Sequence, residues 1–160
     1  LMKYWLVASY KSNDLKKLQA NLQNQGFEYY LPKIITKKVN GNFRETLLFP
    51  GYIFVKTTLQ KYSTLRFSRG IKDIVKFGNN ISYLEEKDIT LIKHTEEKSK
   101  TNPIVAKIEI GQEAIINTGA LKGNLVKICS LPSKERVDVF LSILGSVRKI
   151  SLKEDDISLS

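Results

Sequence analysis

A proline and a glycine sit inside an apolar, aromatic-rich stretch, Leu47-Leu48-Phe49-Pro50-Gly51-Tyr52-Ile53-Phe54-Val55. Pro50 has no backbone donor and a fixed φ, so it cannot lie inside a central strand. Gly51 allows a φ that other residues avoid. The stretch therefore reads as a bend followed by a strand from Tyr52 to Lys56 or Thr57. Strand alternation turns Tyr52, Phe54 and Lys56 one way and Ile53, Val55 and Thr57 the other. The second set makes a core face. The first, beside Phe49 and Pro50, is either core as well or a surface covered by another segment or a partner.

Charge is uneven along the chain. The net charge is +10; residues 1–100 carry 18 Lys and Arg against 9 Asp and Glu, and residues 101–160 carry 8 against 7. A basic first part and a near-neutral second part suggest two units with different partners. The basic one is drawn to polyanions, with nucleic acid the first expectation and a lysine-rich solvated surface the competing one. Cys129 is the single cysteine, which excludes an internal disulfide and a CxxC metal site and favours a reducing cytoplasm. His94 is the single histidine and falls in a charged, helical stretch. Glu85-Glu86 and Asp155-Asp156 read as solvated charges. No enzyme activity, metal or cofactor is expected. No apolar run approaches the ~18 residues of a membrane span, and the expected protein is cytoplasmic and a monomer.

Lys3 to Tyr10 reads as a strand, with Trp5 and Val7 on one side and Tyr4, Leu6 and Ala8 on the other. Asn13 or Asp14 can cap a helix carrying Leu15, Leu18 and Leu22, and Gly26 sits where it should end. Its polar face carries Lys16, Lys17, Asn21, Asn24 and Gln25. Phe27 to Val39 is extended and interrupted at Pro32, and Asn40-Gly41 signals a hairpin whose arms carry Lys37, Lys38 and Arg44. A short helix over Lys61 to Arg69 ends at Gly70, a strand follows over Ile71 to Phe77, and Ser82 to Lys98 reads as a helix. The expected class is α+β. Residues 2–97 form a domain with a four-stranded antiparallel sheet and helices on one face, 98–107 a linker, and 108–160 a small β-barrel punctuated by Gly111, Gly119, Gly123 and Gly145. Val137 to Val147 fits period 3.6 as well as period 2, so a helical hairpin is the alternative for that part.

LFPGYIFV, then Ser68-Arg69-Gly70-Ile71 and Val75-Lys76-Phe77-Gly78, resembles the NusG family of transcription elongation factors, with spacing similar to its specialised RfaH-type members. The resemblance runs from Trp5 to the C-terminus and includes a KOW-like pattern at Gly111, Ile116, Gly119 and Gly123. It implies an NGN domain that binds RNA polymerase across the DNA cleft, contacts non-template DNA, and suppresses pausing or termination, in some members at particular operons. It implies docking on the clamp helices through Phe49, Pro50, Tyr52, Phe54, Phe77 and Tyr10, with Ser9 at the position where RfaH-type proteins place a tyrosine. A second polymerase contact would use Tyr62, Ser63 and Thr64. Nucleic acid, as non-template DNA or nascent RNA, would meet Lys11, Lys17, Asn21, Gln25, Ser68 and Arg69. The C-terminal KOW barrel would contact the ribosomal protein NusE or the factor Rho. In RfaH-type proteins that domain can instead be a helical hairpin masking the first, an interface that would here use Glu45, Arg136, Phe140, Leu141 and Leu144.

The competing function is a KOW-containing RNA-binding module acting on an RNA hairpin or in translation, with Lys37, Lys38 and Arg44 facing RNA.

Overall fold

A computed structural model of the 160-residue chain describes residues 2–37, 40–77, 79–101, 104–105, 134–138 and 148–153. The chain divides into two compact units, neither continuous in sequence: Leu1–Leu31 with Gly51–Glu86 and Val147–Ser160, and Pro32–Pro50 with Lys87–Ser146.

The first unit is built on β1 (Tyr4–Tyr10), whose residues Trp5 to Ala8 are all buried. A strand covered on both faces needs apolar residues at consecutive positions, and Trp5-Leu6-Val7-Ala8 supplies them. Along one edge β1 pairs antiparallel with β5 (Tyr52–Thr57), setting Trp5 opposite Lys56, Val7 opposite Phe54 and Ser9 opposite Tyr52. β5 in turn pairs with β2 (Glu28–Tyr30). Along the other edge β1 pairs with β6 (Ile71–Ile74) and β8 (Asn80–Leu84). β8 also pairs with the two-residue β7 (Lys76–Phe77) and with β10 (Arg148–Lys153). The bend before β5 is real: Gly51 has φ +88°. Tyr10 clamps it twice, its amide donating to the Gly51 carbonyl at 3.0 Å and its hydroxyl accepting the Gly51 N–H at 3.3 Å.

Two helices cover one face of this sheet. In α1 (Leu15–Asn24), Leu18 and Leu22 point inward, and in α2 (Tyr62–Arg66), Tyr62 and Leu65 do so. They join Leu6, Ala8, Tyr10, Ile53, Val55, Ile71, Ile74 and Ile81 in one core. α1 ends as Gly26 foretold: the Gly26 amide returns to Gln23 and the Phe27 amide to Leu22, a closure that satisfies two orphan carbonyls. At the other end Asp14 holds the capping position without a side-chain cap bond.

The sheet differs from the expected four-stranded one: it has seven strands among the described residues, because the expected strand over 71–77 is split, 80–84 add a strand and β10 joins the edge. Residues 82–84, read as the start of a helix, are strand, and α3 begins later (Glu86–Thr101). Helical spacing competes here with a hairpin turn just upstream that folds 80–84 back onto β7. Leu84 and Tyr83 then pair with Trp5 and Leu6, and that tertiary pairing wins. The single strand expected over 71–77 is split at Val75, whose amide leaves the local ladder for the Val7 carbonyl at 2.8 Å.

In the second unit, β3 (Lys33–Lys37) and β4 (Phe43–Leu47) form the expected hairpin, and β9 (Ile104–Val105) pairs parallel to β3. The Asn40 side chain accepts the Asn42 amide at 3.0 Å and shapes the turn. α3 satisfies the outer edge of β3: the Lys33 amide donates to Glu96 Oε1 at 2.7 Å and the Ile35 amide to Ser99 Oγ at 3.0 Å. Residues 98–101, expected to open a linker, form the last turn of that helix. Residues 134–138 are helical, with Val137 buried. Ile150 to Leu152, expected among the last barrel strands, lie in β10 and extend the sheet of the first unit. The remaining positions of the expected barrel or hairpin, with Gly111, Ile116, Gly119, Gly123, Phe140, Leu141 and Leu144, lie outside the described residues, as does Lys38. Among the described residues no helix is long and apolar enough to cross a membrane.

Candidate functional site

The face of the first unit's sheet away from α1 and α2 is aromatic. Alternation in β5 brings Tyr52, Phe54 and Lys56 to it, and the register adds Trp5, Val7 and Ser9 from β1 and Glu28 and Tyr30 from β2. The Tyr30 and Phe54 rings lie 6.3 Å apart. Phe54 is only 1% exposed, while Tyr52 and Tyr30 are half-buried. A charged knot borders this face. Glu86 accepts the Trp5 indole N–H at 2.9 Å and pairs with Lys56, whose ammonium lies 5.8 Å from the centre of the Trp5 ring and 3.9 Å from Glu28. The hydrogen bond that Lys56 donates to Glu86 raises the Lys56 pKa.

Of the six residues expected to form the aromatic site, the strands bring Tyr52 and Phe54 together. Tyr10 is on the opposite, helix-covered face, where burial raises its pKa. Ser9, the partner of Tyr52, takes the place on the aromatic side. Phe77 ends β7. Phe49 and Pro50 belong to the second unit, where Phe49 is buried and Pro50 half-buried. Trp5, Tyr30 and the Glu28–Lys56–Glu86 knot were missed. The signal for Trp5 was its own alternation with Leu6; Tyr30 needed the β2–β5 register, which sequence spacing does not give.

A polar patch lies on the outer side of the helices. The Gln25 amide donates to Ser68 Oγ at 3.2 Å, and Ser68 Oγ donates to the Thr64 carbonyl at 2.6 Å. The Asn21 amide reaches the Arg69 carbonyl at 3.5 Å, the limit of a hydrogen bond, and the Lys11 amide donates to the Gly70 carbonyl at 3.1 Å. Residues far apart in sequence, on α1 and on the 68–70 turn, thus form one strip. Lys11, Lys17, Gln25 and Arg69 are exposed, Asn21 is half-buried, and Ser68 is buried as the linchpin. The arrangement offers ammonium and guanidinium groups to phosphates and amides to base edges.

Of the expected second contact, Thr64 is exposed and Ser63 half-buried, but Tyr62 is 2% exposed and points into the core. Burial pushes its pKa up to about 12. In the second unit Glu45 lies 3.7 Å from Lys33, and Arg136 donates to the Leu48 carbonyl at 3.3 Å. Among the described residues no group of three or more His, Cys, Asp and Glu side chains is placed to hold a metal.

A family model described as transcription termination factor NusG matches residues 3–93. Nine solved chains match as well. One is from a structure titled "Domain interaction in Thermotoga maritima NusG", at 20% identity and a TM-score of 0.40, covering 71% of this chain and 69% of that one. No curated protein matches.

Proposed function

The chain belongs to the NusG family, and from that premise we propose that it is a transcription elongation and antitermination factor of the specialised RfaH type. It binds RNA polymerase across the DNA cleft, touches exposed non-template DNA and suppresses pausing or termination without catalysing a reaction. The observation that carries this reading is the extent of the family match, since residues 3–93 include both the aromatic face and the basic patch. Trp5, Tyr30, Tyr52 and Phe54 supply large, rigid apolar area with polar edges, which suits a protein interface. Tyr52 and Phe54 dock on the clamp helices, Ser63 and Thr64 reach the opposite pincer, and Lys11, Lys17, Asn21, Gln25 and Arg69 face nucleic acid.

The mechanism is a population shift. A protein bridging the cleft binds the closed clamp better than the opened one and so disfavours the paused state. A tenfold shift takes only ~1.4 kcal/mol. Phe54 is almost fully buried in the intact chain, so docking through it requires it to be uncovered first, and recruitment is gated. Residues 98–107, which begin in the last turn of α3, lead to a KOW domain at 108–160 that is a barrel once released; in the intact chain 148–153 pair with β8 instead, and a helical hairpin over 137–147 is the alternative for the gated form. The free barrel contacts NusE or Rho.

The test is association of the intact chain with purified, nuclease-treated RNA polymerase, before and after cleavage at a protease site placed in 98–107. Binding that appears on cleavage and is lost in Tyr52→Ala supports the proposal. Binding that needs nucleic acid and ignores Tyr52 refutes polymerase docking and favours an RNA-binding module.

A further inference from the structure

Phe67 is an exposed aromatic outside the core of the first unit. It follows the last residue of α2, and its side chain is 68% exposed, against 2% for Tyr62 and 0% for Leu65 on the same helix. The turn does not need it: its amide closes α2 by donating to Ser63 at 3.0 Å, a bond any residue but proline can make. Yet its surroundings are ordered. The Arg66 guanidinium lies 5.4 Å from the ring centre, held by the Asp73 carboxylate at 3.4 Å and the Lys72 carbonyl at 3.2 Å. The next residue is Ser68, which is locked to Gln25, and then comes exposed Arg69. An open π-face thus continues a strip of cations and amides.

That combination selects its occupant. An apolar protein partner would want neighbouring apolar surface, but the exposed residues within three positions of Phe67 are Thr64 and Arg69, both polar. Single-stranded nucleic acid matches both halves: phosphates for the cations and, for the ring, a base that is not stacked in a duplex. Asp73 is committed to Arg66, which leaves that pair near neutral and the strip basic. We propose that Phe67 is a stacking platform for an unpaired base of a single strand whose backbone is held by Lys11, Lys17 and Arg69. This rests on the reading of the basic strip as a nucleic-acid surface. A stacked base adds affinity without a fixed base identity, since every base has a π-face. Sequence selectivity is then left to Asn21 and Gln25.

The test uses the intact chain and single-stranded DNA of roughly a dozen nucleotides, with 2-aminopurine placed at each position in turn. Wild type should quench 2-aminopurine at one position and bind in a salt-dependent way. Phe67→Ala should weaken binding roughly tenfold and abolish that quench. Phe67→Tyr should keep both, and Phe67→Leu should behave like alanine, because bulk without a π-face does not stack. The inference fails if Phe67→Leu retains wild-type affinity. It fails alone, with the strip intact, if Lys17→Ala and Arg69→Ala weaken binding while Phe67→Ala does not. It also fails if Phe67→Ala weakens association with RNA polymerase and leaves the oligonucleotide unaffected, which would make the ring a protein anchor. Absence of any salt-dependent binding by wild type overturns the strip and the stacking together.

Discussion

The two faces of the first unit's sheet are made of the same strands and are chemically unlike. Under α1 and α2 the face is mainly aliphatic: Leu6, Ala8, Ile53 and Val55 meet Leu18, Leu22 and Leu65. The other face carries Trp5, Tyr30, Tyr52 and Phe54 and is fringed by Glu28, Lys56 and Glu86. Branched aliphatics pack densely and permanently against a helix of the same chain. Aromatics with polar edges tolerate both water and a partner, and they suit a face whose cover changes. One face therefore reads as fold and the other as proposed function, and substitutions should separate them.

The largest effect is expected on the helix-covered face. Leu65→Ala removes a fully buried side chain and should cost ~2–5 kcal/mol of unfolding free energy. Phe54→Leu, on the other face, removes part of the ring's volume but keeps an apolar side chain, and should cost less, about 1–2 kcal/mol. It should nevertheless abolish the polymerase association expected after cleavage in 98–107. Urea melts of both variants beside a pull-down test the pair. Similar stability losses with unchanged pull-down would erase the distinction between the faces.

Gly70→Ala comes next. Gly70 has φ +100°, and a Cβ there would stand 3.1 Å from the Leu18 Cβ, a backbone-proximal atom that cannot swing away. The strained φ alone costs ~1–3 kcal/mol. Gly70 also accepts the Lys11 amide, so the substitution should disturb the basic strip along with the core. Reduced stability together with weaker oligonucleotide binding is expected, with polymerase docking through Tyr52 unaffected.

How far the sequence revealed these faces follows from what each depends on. The alternation in Tyr52 to Lys56 and in Trp5 to Ala8 is local, so the inward and outward sets were readable before any fold was known. Gly26 and Asn40-Gly41 were readable too, because caps and turns are set by a few adjacent residues. Tyr10 was assigned to the aromatic site because it neighbours Ser9, yet adjacent strand residues face opposite ways and the register gives the place to Ser9. Tyr62 reads with Ser63 and Thr64 as a polar start to a helix, but this five-residue helix buries Tyr62 as well as Leu65, three residues on and so on the same face. The strand at 80–84 depended on pairing with β1 and β7, contacts that no local window contains. The strip joining Gln25 to Ser68 could be listed from the resemblance, but its geometry is tertiary.

Tyr62 gives the helix-covered face a pH signature. Its phenol is buried without a hydrogen-bond partner among the described residues, and its pKa is raised from 10.0 to about 12. The folded state therefore favours the neutral phenol. That stability is complete below pH 10 and is lost as the pH rises toward 12. Lys56 on the aromatic side has a raised pKa as well, so its contribution also fades in alkali. Tyr62→Phe separates the two. It should leave stability at pH 7 unchanged or slightly higher, since no hydrogen bond is lost. It should also flatten the decline above pH 10, and the slope that remains includes Lys56, Lys100 and Tyr10, whose pKa values are raised as well. An unchanged slope in Tyr62→Phe would mean that Tyr62 does not contribute to the alkaline decline.

The smallest effect is expected at the charged knot. Glu86 is largely exposed and joins the Trp5 indole to Lys56 at the first residue of α3. Exposed ion pairs contribute ~0.2–1 kcal/mol, and a glutamine at 86 can still accept the indole N–H. Glu86→Gln should thus lower stability by less than ~1 kcal/mol, with the loss shrinking at high salt. Trp5 is the chain's single tryptophan, so its emission reports the knot directly and should shift when the carboxylate is replaced. If this substitution cost as much as Leu65→Ala, the aromatic face would be holding the fold together in the manner of the other face, against the proposal that it is a docking surface. A small, salt-sensitive loss with a clear change in Trp5 emission is what a face kept separable from the core requires.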